Sequence, residues 1–131
     1  MSWQFANDKP IYSQLVERIS IGIIDGSYPA GSRLPSVRDL AAEAKVNPNT
    51  MQRALAELES SGLVYTERTS GRFVTEDADR IRGRREELAI TRIKTFLQDM
   101  ENLGIDREHI GKLLFDDSTT IELRSVNDGN K

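Results

Sequence analysis

The chain has 131 residues, of which 37% are hydrophobic and 30% charged, and its net charge is -3. This length favours one compact domain, or one small domain with an appendage, and the composition is that of a globular protein without a membrane-spanning segment. The chain has no Cys and one His, which excludes disulfide frameworks, Cys nucleophiles and zinc sites built from Cys or His. We therefore expect no metal and no cofactor. We also expect a cytoplasmic location, because no signal-like apolar run is found near the N-terminus.

Charge is distributed unevenly along the chain. Residues 1–75 carry eight basic and eight acidic side chains, whereas residues 76–131 carry ten basic and thirteen acidic ones. A surface that binds nucleic-acid phosphates therefore has to be sought as a local cluster of basic residues, because the net charge does not indicate one.

Three helices are predicted in the first half of the chain from apolar residues at helical spacing and from capping residues. Asp8, Ser36 and Asn47 stand where N-caps belong, and Pro48 follows Asn47 as a first-turn proline. The predicted helices cover about residues 10–25, 37–44 and 48–60. The second and third are short and are joined by a tight turn, which is typical of a helix-turn-helix.

Two β-prone runs follow directly, at residues 63–67 and 72–75, and the segment between them, residues 68–71, contains the glycine that a hairpin turn needs. Three helices followed by a hairpin are the order of a winged helix-turn-helix. We therefore predict a mainly α fold with a small β-hairpin, in which residues 1–76 form a winged helix-turn-helix domain.

From Asp77 the pattern changes to one long helix that ends near Leu103, and a short helix follows after Gly104. These helices make a predicted C-terminal helical hairpin over residues 77–116, and residues 117–131 are predicted to be a polar, largely unstructured tail. The long helix carries an apolar stripe that a small domain cannot cover, which predicts a homodimer. The predicted interface residues are Ile81, Leu88, Ile93, Phe96, Leu97, Met100 and Leu103.

Two segments, RLPSVRDLA at residues 33–41 and VNPNTMQRAL at residues 46–55, resemble the DNA-binding domain of GntR-type bacterial transcription regulators. The short C-terminal part is most similar to that of the YtrA subfamily. The resemblance implies a sequence-specific regulator, and with the predicted dimer we expect a repressor on an inverted-repeat operator. Many GntR regulators carry Arg where this chain has Pro48, so the base contact assigned to that position does not transfer.

Polar and basic residues at three places in the winged helix are the candidates for DNA contact. Ser36 lies at a helix N-terminus, where free N–H groups favour phosphate, and the resemblance favours a DNA contact for Arg38. The start of the third helix enters the major groove in helix-turn-helix docking, and a hairpin turn with Arg suits a minor groove. The candidates there are Asn47, Asn49, Thr50, Gln52 and Arg53 in the helix, and Arg68, Thr69, Ser70, Gly71 and Arg72 in the hairpin.

Other interpretations remain open at this point. Asn47 serves equally well as a cap only, and Gln52 as a solvated side chain, while the basic run at residues 80–85 suits pairing with neighbouring acids better than phosphate contact. The alternative function is a winged-helix protein-protein interaction module without specific DNA binding. No enzyme is expected, because no base, nucleophile or phosphate loop accompanies the acidic residues. The expected partners are double-stranded DNA and a second copy of the chain, without a membrane, and an unknown small-molecule effector stays open.

Overall fold

A computed structural model describes residues 3–116, which form five helices and one two-stranded antiparallel sheet. The order of elements is that of the predicted winged helix-turn-helix followed by two helices, and the predicted fold class is confirmed. The elements are α1 (Ile11–Ile24), α2 (Val37–Ala44), α3 (Pro48–Ser60), β1 (Val64–Glu67), β2 (Gly71–Val74), α4 (Ala78–Asn102) and α5 (Arg107–Phe115). The tail predicted over residues 117–131 lies outside the described residues. Within residues 3–116, no helix is long and apolar enough to span a bilayer.

The core of the winged helix is formed where the apolar faces of α1, α2 and α3 meet under the hairpin. Leu15 of α1, Leu40 of α2 and Leu55 of α3 are fully buried, and Val74 of β2 closes the core from the side of the sheet. Burying each such side chain stabilises the fold by roughly 1.5–3 kcal/mol. This core fixes the orientation of α3, whose opposite face is left exposed.

Capping residues define the starts of α2 and α3 as the sequence predicts. The Ser36 hydroxyl accepts a hydrogen bond from the Asp39 N–H at 3.1 Å, and the Asn47 side-chain oxygen accepts one from the Asn49 N–H at 2.7 Å. Pro48 is the first residue of α3. Each side-chain cap of this kind contributes about 1 kcal/mol.

The predicted cap of α1 is wrong. Pro10, not Asp8, occupies the N-cap position, and no side chain caps this helix end. The amide of Gln14 instead bonds to the backbone of the preceding segment, accepting from the Ala6 N–H at 2.7 Å and donating to the Ala6 and Lys9 carbonyls at 2.9 and 3.0 Å. A carboxylate cannot donate, so the amide can hold both groups of Ala6 where Asp8 could not.

The structure divides into two units after residue 88, beyond the boundary at 76/77 that the sequence suggests. The first turns of α4 belong to the winged helix because Ile81 packs against its core and the Arg80 guanidinium donates to the Ser61 carbonyl at 3.1 Å. Ile81 is therefore engaged within its own chain. We leave it out of the proposed dimer interface for that reason.

The second unit contains the rest of α4 and α5. The Asp106 carboxylate caps α5 by accepting from the His109 N–H at 2.8 Å, and the buried Ile110 lines a depression together with Leu97 and Ile105. No residue of α4 is buried. The large apolar side chains left exposed in this unit are Ile90, Ile93, Phe96, Leu103, Leu113 and Phe115.

Candidate nucleic-acid interface

The outward face of α3 is made of polar and small side chains. Asn49, Gln52 and Arg53 are exposed, and they lie on one side of the helix because residues three or four positions apart share a face. Thr50 beside them is half-buried. The side-chain oxygen of Asn47 accepts the capping hydrogen bond, which leaves the N–H groups of its side-chain amide able to donate to DNA. The only apolar residues exposed on this helix are Pro48 and Ala56. A protein-binding helix is expected to expose larger apolar side chains, so this face suits the edges of DNA bases better.

The guanidinium of Arg53 stacks on an aromatic ring of α1. Its Cζ atom lies 3.6 Å from the centroid of the Tyr12 ring, at an open cleft that Asn49 and Thr50 also line. Such a contact stabilises the pair by about 0.5–1 kcal/mol at an exposed site and reduces the number of conformations that Arg53 samples. Tyr12 is not among the site residues predicted from the sequence, because only the packing of α1 against α3 brings it to Arg53.

The start of α2 faces the turn end of the hairpin across a second open cleft of about 420 Å³. Ser36 and Arg38 line it from α2, and Arg68 and Gly71 line it from the hairpin. Ser36 and Arg38 are exposed, and the Ser36 hydroxyl can still donate while it accepts from the backbone. The fold thus brings together predicted site residues from two separate segments of the sequence.

The hairpin carries its predicted contact residues in two different environments. Arg68, Thr69 and Ser70 are exposed in the turn. Gly71 is the first residue of β2 and has a φ of +107°, a backbone conformation that residues other than glycine rarely adopt. Arg72 is half-buried and donates from Nε to the carboxylate of Glu59 at 2.8 Å. Arg72 therefore links the hairpin to the last turn of α3, and its contact with DNA stays a prediction.

Comparison with known proteins identifies the family. The family profile described as "Bacterial regulatory proteins, gntR family" matches residues 11–74. The HTH-type transcriptional regulator YhcF of Bacillus subtilis is 36% identical over 110 residues, which are 84% of this chain and 91% of YhcF. This chain belongs to the GntR family. It is a transcription regulator with a winged-helix DNA-binding domain, and the family and these relatives are regulators rather than enzymes.

Other relatives of this GntR-family chain agree with that assignment. The transcriptional repressor YtrA of Bacillus subtilis is 39% identical over 53% of this chain and 53% of its own length. A GntR-family regulator from Listeria monocytogenes has a similar structure, with a TM-score of 0.74 and 44% identity over 81% of this chain and 93% of its own. The AraR DNA-binding domain in complex with operator ORE1 gives a TM-score of 0.50 and 27% identity over 57% and 94% of the two chains.

Glu59 holds the hairpin of the candidate interface in place and is not among the residues predicted from the sequence. One oxygen of its carboxylate accepts from both the Thr66 hydroxyl of β1 and the Arg72 side chain of β2. These two hydrogen bonds, the one from Thr66 above all, hold the pKa of Glu59 below its ordinary value. The carboxylate therefore anchors the hairpin to α3 in its ionised form. No sequence signal indicates that Glu59 rather than Glu57 contacts the hairpin, because both are acidic residues near the end of the same helix.

Replacing Glu59 by Gln is expected to lower the melting temperature at neutral pH. Since the folded-state pKa is depressed, the stabilisation is fully present above the unfolded-state pKa, near 4.5, and is lost as the pH falls through the lower folded-state value. The melting temperatures of the two proteins should thus converge in acid. Thermal unfolding followed by circular dichroism from pH 7 downward measures this, with Glu57→Gln as the matched control. A gap that is independent of pH would contradict the role of the ionised carboxylate.

Proposed function

We propose that this chain is a repressor that binds an inverted-repeat operator as a homodimer in the bacterial cytoplasm. The observation that carries the proposal is the outer face of α3, which consists of polar and small residues. This face exposes three side chains that can form hydrogen bonds with the edges of DNA bases. The repressor role is supported by the similarity to YtrA, which is named a repressor, and operator binding by the similarity to the AraR domain bound to its operator.

The proposed contacts divide between base edges and phosphates. Asn49 and Gln52 can pair bidentately with adenine, and Arg53 with guanine, in the major groove. Backbone phosphates and the minor groove are left to α2 and the hairpin, where Arg suits the narrow, negative groove of A·T-rich DNA. The residues proposed for those contacts, with the two that flank the base readers, are Ser36, Arg38, Asn47, Thr50, Arg68, Thr69, Ser70, Gly71 and Arg72.

The homodimer is supported by the apolar side chains exposed in the second unit. Ile93 is 55% exposed, Phe96 39% and Leu103 68%, and these residues belong to the stripe that the sequence predicts. Leu97 is half-buried beside Ile110, so it supports the interface from within its own chain. An apolar face of this extent is typical of an interaction site, and a second copy of the chain presents the same face. Half-buried Leu88 and Met100 stay predicted interface residues, and Ile90, Leu113 and Phe115 extend the exposed set.

No effector is assigned to the second unit. The depression lined by Leu97, Ile105 and Ile110 measures about 250 Å³, below the range of roughly 300–1,000 Å³ that is typical of small-molecule pockets.

The proposed function is tested by fluorescence anisotropy with the DNA upstream of the chain's own gene and a scrambled duplex of the same composition. We expect tight binding to the upstream duplex only. The logarithm of the affinity should fall linearly with the logarithm of the salt concentration, with a slope of about -0.9 for each phosphate contacted. Selection from a random-sequence pool covers the case of an operator elsewhere. Failure to prefer any sequence in both assays would contradict the proposal and favour the protein-interaction module.

A further inference from the structure

Arg33, which lies outside the predicted site, is fixed beside the hairpin by its backbone. The segment before α2 runs antiparallel to β2, with Arg33 bridged to Phe73. The flanking residues bond to β2 as well, because the Leu34 N–H donates to the Arg72 carbonyl at 2.9 Å and the Val74 N–H to the Ser32 carbonyl at 2.8 Å. The position of Arg33 relative to the hairpin is therefore set by main-chain hydrogen bonds.

The side chain of Arg33 crosses the backbone of the hairpin at Gly71. A Cβ atom on Gly71 would lie 2.9 Å from Nε of Arg33, closer than such atoms approach in real structures. Glycine at this position consequently does two things, since it adopts the positive φ and leaves room for the guanidinium. The exposed Arg33 side chain then lines the cleft between α2 and the hairpin, the same cleft that Arg38 and Arg68 line.

The charges around this cleft are unbalanced. Arg33, Arg38, Arg68 and Arg72 line it together with a single carboxylate, that of Glu67. Arg72 is paired with Glu59, which does not line the cleft. Within residues 3–116, no carboxylate lies within salt-bridge distance of Arg33, Arg38 or Arg68. Three like charges that share a cleft repel one another, and an anion placed among them relieves that repulsion.

We propose that Arg33 is a further DNA-contact residue, which binds a backbone phosphate in this cleft together with Arg38 and Arg68. The inference rests on the proposed function and adds to it a residue and a class of contact. A phosphate fits better than a base, because the cleft is formed by α2 and the hairpin and not by the exposed face of α3. The planar guanidinium also matches two phosphate oxygens at once, which a lysine cannot do.

The test compares wild type, Arg33→Ala and Arg33→Lys on two labelled duplexes of roughly 30 base pairs, each long enough for two half-sites about one helical turn apart. A phosphate contact is independent of sequence, so a duplex of arbitrary sequence serves at low salt beside the selected operator. We expect Arg33→Ala to weaken binding to both duplexes by about tenfold. The slope of log affinity against log salt should fall by about 0.9 per bound chain. Arg33→Lys should restore the slope and only part of the affinity.

Arg107→Ala, which removes one exposed positive charge from α5, is the matched control and should leave the slope unchanged. An Arg33→Ala affinity equal to that of wild type would overturn the inference while the proposed function stands. Weaker binding with an unchanged salt slope and a lower melting temperature would also overturn it, because Arg33 would then only support the hairpin. If wild type bound no duplex at all, the proposed function and the inference would both be overturned.

Discussion

Replacing Phe96 by Asp is expected to convert the proposed homodimer into a monomer and to weaken operator binding by about 100-fold or more, because a single half-site engagement replaces two linked ones. The substitution places a charge in the centre of the exposed apolar stripe, where association would bury it without a partner. Phe96 is 39% exposed in the single chain, so the isolated helix tolerates the change. Light scattering with size-exclusion chromatography measures the mass, and anisotropy measures the binding.

The matched control is Thr91→Asp, which adds the same charge to the same helix. Thr91 is exposed and lies about 140° around the helix from Phe96, away from the stripe. It should leave both the mass and the affinity unchanged. An unchanged mass for the Phe96 variant, with wild-type helix content by circular dichroism, would show that the chains associate through another surface.

Replacing Arg53 by Ala is expected to weaken binding to the selected operator by about 1–3 kcal/mol and to relax the preference at one base position. The guanidinium is the one positively charged group on the exposed face of α3, and its most specific partner in the major groove is guanine. Anisotropy on the operator and on its single-base variants measures both effects. An equal loss on every sequence would show that Arg53 contacts a phosphate instead.

Tyr12→Leu separates the guanidinium from the ring that holds it. This variant keeps the charge of Arg53 but removes the stacking contact at 3.6 Å. We expect a smaller loss of affinity than for Arg53→Ala and the same base preference, because the ring restricts the side chain without reading a base itself. A change of base preference in Tyr12→Leu would contradict that division of roles.

Local sequence signals were sufficient for the elements of this fold. The Ser36 and Asn47 side chains bond to backbone N–H groups two or three residues away, so the same few residues that contain the signal also form the structure. The order of three helices and a hairpin followed from apolar spacing and from the glycine of the turn, and the resemblance of residues 33–55 to GntR regulators led to the DNA-binding assignment that the comparisons confirm.

The turn between α2 and α3 shows where local signals fail. Lys45 adopts the left-handed conformation, with φ of 60°, at a position where glycine is the usual residue. The conformation is held by the Val46 N–H, which donates to the Ala41 carbonyl at 3.0 Å, and by the Lys45 N–H, which donates to Ala42 at 3.3 Å. Nothing in the sequence at Lys45 predicts the left-handed conformation.

The sequence by itself determined which residues carry charge, donors and apolar surface, and in what order the helices and strands form. The tertiary structure alone decided how these groups are used: Arg72 binds Glu59, Arg53 stacks on Tyr12, and Ile81 packs into its own domain while Phe96 stays exposed. The physical reason is the distance along the chain over which the different interactions act. Capping and periodicity act over a few residues, whereas these contacts join elements that become neighbours only when the core of α1, α2 and α3 has packed.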